Sequence, residues 1–142
     1  MGIQKQEFYE GAALHRLIRG AGDVRIRYAA PLFILDERLQ VHLKYSTLVS
    51  SPWGFTFNPD EQQLLGSRAA ELPLVIGLVC GADGIAVVTF EQYTLIAHSH
   101  DAAIRVACHR KHRAHCEVTG PDGTVPGKVP PSDWHRLLDD QP

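Results

Sequence analysis

Nothing in this sequence is long and apolar enough to cross a bilayer as a helix. The longest apolar run, Pro73 to Cys80, falls far short of the roughly 20 residues that a spanning helix needs, so no membrane partner is expected. The first residues, MGIQKQEFYEGA, lack the apolar core of a signal peptide. Cysteines are few and odd in number. Cys80, Cys108 and Cys116 have no disulfide-like spacing, which excludes a disulfide scaffold and fits a reduced, cytoplasmic setting. Positive charge is not in excess either. A net charge of −2 excludes a general nucleic-acid coat protein and leaves any such contact to a local patch. There is no internal repeat, low-complexity tract or linker. What is there, 142 residues with 44% hydrophobic, suffices for one domain with a real core.

Residues 5–19 read as a helix, with Glu7 and Glu10 in the early turns and Arg16 and Arg19 in the last, where they compensate the dipole. Leu14 and Leu17 follow Glu10 by four and seven residues, so Glu10 lies on or beside the apolar stripe and Glu7 does not. Val24 to Tyr28 alternates as a strand. Pro31–Leu35 and Leu39–Ser46 then form a hairpin around a three-residue turn, Asp36 to Arg38. On the return strand Val41, Leu43 and Tyr45 point one way and His42, Lys44 and Ser46 the other. Phe55–Phe57 is a further short strand, and Trp53, Phe55 and Phe57 read as core anchors. Asn58, Pro59 and Glu61 mark a helix start with a capping box, and that helix runs to about Leu72. Leu72–Cys80 suits a strand covered on both faces, and residues 85–90 return as its partner. A helical turn at 91–98 and a hairpin turning near Arg110 to Arg113 follow. The expected fold is α/β or α+β: a single domain with a central mixed β-sheet flanked by helices, a core over 5–119 and a loosely packed tail over 120–142, closed by a short helix at Trp134, Leu137 and Leu138.

This layout resembles the core of the PD-(D/E)XK nuclease superfamily over roughly residues 5–90. Glu10 stands where the family's leading helix often carries a glutamate. Pro31 holds the place of the motif's proline. His42-Leu43-Lys44 holds the place of the acid-x-lysine triplet. The resemblance implies a restriction-endonuclease-like core in which two carboxylates on neighbouring strands hold Mg²⁺, while the ion and the lysine stabilise charge on a phosphate and activate water. This chain departs from that pattern at both acids. Leu32 follows Pro31, and His42 stands two before Lys44; leucine cannot bind a metal, and a neutral imidazole is a poor Mg²⁺ ligand. Asp36 cannot replace them, because it lies about four residue steps from His42, on the order of 13 Å. The acids that could serve from helices are Glu10 and Glu61, with Lys44 as charge partner; Glu61 can equally be only a capping-box residue, and His42, Lys44 and Ser46 only a wet strand face.

Two further clusters matter. Cys108, His109, His112, His115 and Cys116 suit Zn²⁺ by type but not by spacing, since a hairpin sends neighbouring side chains to opposite faces. Arg105, Arg110, Lys111 and Arg113 are the most basic patch, either a phosphate contact or a solvated hairpin tip. The readings that follow are a nuclease-like domain with lost or weak catalysis, binding DNA, RNA or a protein partner, a second copy included; an active Mg²⁺-dependent nuclease using Glu10 and Glu61; and a zinc-stabilised binding module. Without catalysis no cofactor is expected.

Overall fold

The helix expected first starts late enough to be capped and ends on glycine. α1, Lys5–Ala21, is closed at its N-terminus by a capping box between Gln4 and Glu7 and at its C-terminus by Gly22, whose N–H donates to the Ile18 carbonyl (2.8 Å). A computed structural model of the chain describes residues 2–98, 101–111 and 114–139. Within them it is a mixed α+β domain with two sheets. β1 (Ile26–Ala29), β2 (Leu32–Leu35), β3 (Leu39–Ser46), β5 (Leu74–Cys80) and β6 (Gly84–Thr89) lie in that order in sheet A, where β3 and β5 run parallel and the other pairs antiparallel. The parallel pair is joined through β4 (Trp53–Phe57) and α2 (Pro59–Ala69). β4 leaves sheet A altogether. It pairs with β7 (Ile104–His109), which continues through β8 (Glu117–Gly120) to β9 (Gly123–Thr124) as the antiparallel sheet B.

The expected α+β fold with a central mixed sheet is what the chain adopts, and a second, antiparallel sheet is added on one face of it. α1 covers one face of sheet A, packing over Leu35, Leu39, Val41, Leu43, Val75 and Val87. The other face is covered by sheet B together with α2 and α3 (Phe90–Ile96), around Leu32, Trp53, Phe55, Phe57, Leu65 and Ile76. β5 is buried along its whole length, as a strand between two apolar layers must be. The hairpin register is Leu35↔Leu39 and Phe33↔Val41, as the turn length requires. Its three-residue loop needs left-handed backbone at Asp36 (φ 52°) and Glu37 (φ 55°).

The C-terminal segment is not the loose tail expected. Val125, Val129 and Trp134 are buried, and the Trp134 indole N–H donates to the Ala13 carbonyl in the middle of α1 (2.9 Å). Instead of an amphipathic helix the chain makes a 3₁₀ turn, Pro131–Asp133, that delivers the indole into the α1 side of the core, against Gly77 of β5. No described helix is long and apolar enough to cross a membrane.

Candidate functional site

The parity of β3 decides what the site is made of. Val41 and Leu43 go under α1, and Tyr45 on the same side stacks on Tyr9 (centroids 5.0 Å apart, planes at 8°). Gln40, His42, Lys44 and Ser46 alternate onto the other face, beneath α2 and β4. That face is not wet. His42 is 6% exposed, and the Lys44 side chain only 20%.

Glu61 meets them there. Asn58 caps α2 by accepting the Glu61 N–H (2.7 Å), and the Glu61 carboxylate accepts the Asn58 N–H in return (3.3 Å). The same carboxylate then reaches across to β3. Its Oε2 accepts from His42 Nε2 (2.7 Å) and Lys44 Nζ (2.8 Å), and its Oε1 lies 3.1 Å from Nζ. Capping and pairing, alternatives in the sequence, are one arrangement in the fold. The Lys44 ammonium also donates to the Thr56 carbonyl (2.6 Å) and sits 4.7 Å above the Phe57 ring centre. Its three N–H bonds are thus matched by Thr56 and the two Glu61 oxygens. Burial pushes the Glu61 carboxyl up, but the bonds from His42 and Lys44 outweigh this and hold it below the usual carboxylate range. A carboxylate oxygen only accepts, so His42 Nε2 carries the hydrogen of that bond. His42 Nδ1 and the Tyr93 hydroxyl are buried without a hydrogen-bond partner among the described residues, and burial together with the Glu61 charge pushes the Tyr93 phenol up to about 12.

Of the acids and bases expected here, three converge and one does not. Glu10 is more covered than Glu7, as its place beside the stripe implies. It rides on α1, however, across sheet A from His42 and Lys44, and its carboxylate accepts from Gln6 (2.9 Å). Continuing the β2–β3 register by one step sets Leu32, fully buried, beside His42. Asp36 stays at the hairpin tip, where its Oδ1 accepts the Arg25 N–H (2.9 Å). The donor set does not fit Mg²⁺. It contains one carboxylate with both oxygens occupied, and no group of three or more His, Cys, Asp or Glu among the described residues is arranged to hold a metal.

The basic patch is divided by its own contacts. Arg110 is a structural clip. Nη1 pairs with Asp83 (2.6 Å), Nε donates to the Ala114 carbonyl (2.7 Å), and its backbone N–H donates to Ser51 Oγ (2.9 Å). Arg105 lies exposed on the outer face of sheet B with its guanidinium over Gly54, where a Cβ would displace it. Lys111 is exposed, while Arg113 and His112 lie outside the described residues. The cysteine–histidine set divides in the same way. His109 and His115 face outward, whereas Cys108 and Cys116 turn into the core, where their thiols lie close to each other and to that of Cys80. Contact with Cys116 lowers the Cys108 thiol, but Cys80 and burial raise it to about 12; Cys116 is raised by Cys108 and by burial. This triple thiol contact was not readable from spacing, because Cys80 arrives from the other sheet.

Comparison with protein-family models, with curated proteins and with solved structures finds no match to this chain.

Proposed function

We propose that this protein is a nuclease-like domain that has lost catalysis and serves in binding, to nucleic acid or to a protein partner. One observation carries the reading: Lys44, the residue that would face a phosphate, has every donor engaged inside the Thr56–Glu61 network, next to a fully buried Leu32 where an acid would be needed. The order of elements from α1 through the hairpin to α2 and β5 supports the nuclease-like part. For the partner, a protein is favoured over nucleic acid. Arg110 is committed to Asp83, whereas Leu48 (52% exposed) and Val49 (97%) leave an apolar surface where β3 ends.

A second reading, an active metal-dependent nuclease, draws on the convergence of His42, Lys44 and Glu61. The two part in one assay. Single- and double-stranded DNA and RNA are incubated with the protein and Mg²⁺ or Mn²⁺, beside Lys44→Ala, Glu10→Gln and Glu61→Gln. No cleavage above background is expected from any of them. Robust wild-type cleavage abolished by Lys44→Ala would establish the enzyme and end the binding reading. Salt-dependent DNA binding that falls on replacing Arg105 and Lys111 would assign the partner as nucleic acid instead of protein.

A further inference from the structure

On the α1 side of sheet A, away from Lys44 and Glu61, the C-terminal half of α1 and the segment after Trp134 border a half-open pocket of about 410 Å³. Arg16, Arg19, Gly20 and His135 line it. Three features build it. Arg16 and Arg19 are three residues apart on one helix and so share a face. Trp134 is fully buried and bonded to Ala13, which fixes the position of the residue after it. Gly20 lets that segment come close: a Cβ there would stand 2.5 Å from the His135 carbonyl oxygen. No side-chain hydrogen bond or ion pair engages Arg16, Arg19 or His135 among the described residues, whereas Arg27, Arg68 and Arg110 all have partners. In a chain of net charge −2 this is a concave site of two guanidinium groups and an imidazole that form no ion pair among the described residues.

We propose that this cavity binds the terminal phosphate of a small phosphate monoester of about nucleotide size. A carboxylate offers two oxygens, which one guanidinium fork can saturate; a terminal phosphate offers three and up to two charges, matching two forks and a ring nitrogen. The α1 C-terminal dipole opposes an anion with only about half a charge, against two from the arginines. The volume lies within the range of small-molecule pockets and far exceeds what a bare ion fills, so an organic body is accommodated with the phosphate. A phosphodiester inside a polymer has one charge and chain on both sides, and fits an open groove better than a concavity.

The test is calorimetric titration of the full chain with adenosine monophosphate, adenosine and inorganic phosphate, and with a DNA duplex carrying no terminal phosphate. Adenosine monophosphate is expected to bind once per chain and adenosine not at all, with inorganic phosphate competing. Arg16→Gln and Arg19→Gln, both exposed and expected to fold, each weaken binding at least about tenfold, the scale of one charge-assisted bond. Gly20→Ala weakens it by pushing His135 aside, and Arg105→Gln, the same charge loss on sheet B, leaves it unchanged. Equal loss in Arg105→Gln, equal binding of adenosine, duplex binding that is tighter and is lost in Arg16→Gln, or no saturable binding up to about 10 mM ligand would each overturn the proposal.

Discussion

Glu61→Gln is expected to lower the stability of the fold by about 3 kcal/mol at neutral pH, because it leaves the Lys44 ammonium largely buried without its counter-charge. The amide keeps the shape of the carboxylate but turns an N–H₂ group toward donors on Lys44 or His42. The figure sits at the lower end for buried pairs, since the Lys44 and Glu61 side chains are still 20% and 14% exposed. Urea unfolding reads it as a lowered midpoint at unchanged slope. The sign of the pH dependence follows from Glu61 titrating lower in the fold than its usual value near 4.5. Its contribution is complete above that value and disappears as pH falls through the lower folded one. The gap between wild type and Glu61→Gln should therefore be widest near pH 7 and narrow in acid. Lys44→Met combined with Glu61→Gln should cost less than the two singles summed. An additive pair, or a gap that widens in acid, would mean that the network contributes nothing as a pair.

Trp134→Ala should cost about 4 kcal/mol, the largest single effect in the chain. The indole is fully buried among α1, β5 and β6, and its N–H bonds the Ala13 carbonyl of α1. For a domain of this size that corresponds to a fall in melting temperature of roughly 10 °C or more. Trp134→Phe retains most of the packing and should cost about 1–2 kcal/mol, chiefly the lost hydrogen bond. A loss below about 1 kcal/mol in the alanine variant, measured by thermal or urea unfolding, would return this segment to the status of a loose tail.

What could be read from the sequence followed from local pattern. The alternation of β3 and a three-residue loop sufficed to pair Leu35 with Leu39, and the Asn58–Glu61 box sufficed to start α2. Parity also separated His42 and Lys44 from Val41 and Leu43. It could not say what covers the polar face, because the cover comes from β4, α2 and a sheet assembled with residues 104–124. The pairing of Trp53–Phe57 with Ile104–His109 spans about fifty residues and leaves no local signature. Nor does a turn such as Pro131–Asp133 reveal that the tryptophan behind it is a core residue. The site was legible as residue types at a spacing; Glu61 as its centre, rather than Glu10, was not, since only the fold shows on which side of the sheet each helix lies.

The polar residues of β3 also fasten α2 at both of its ends. Gln40, 1% exposed, donates from its amide to the carbonyls of Arg68 (2.6 Å) and Leu72 (3.0 Å) at the helix C-terminus, while His42 and Lys44 hold Glu61 in its first turn. Three alternate side chains on one eight-residue strand thus grip a helix end to end. Fraying from either terminus strands a buried amide or a buried charge, so neither end can peel away cheaply. α2 and β3 are consequently expected to open together, and a fluctuation that bares Lys44 to solvent must break the Glu61 contacts in the first turn of the helix.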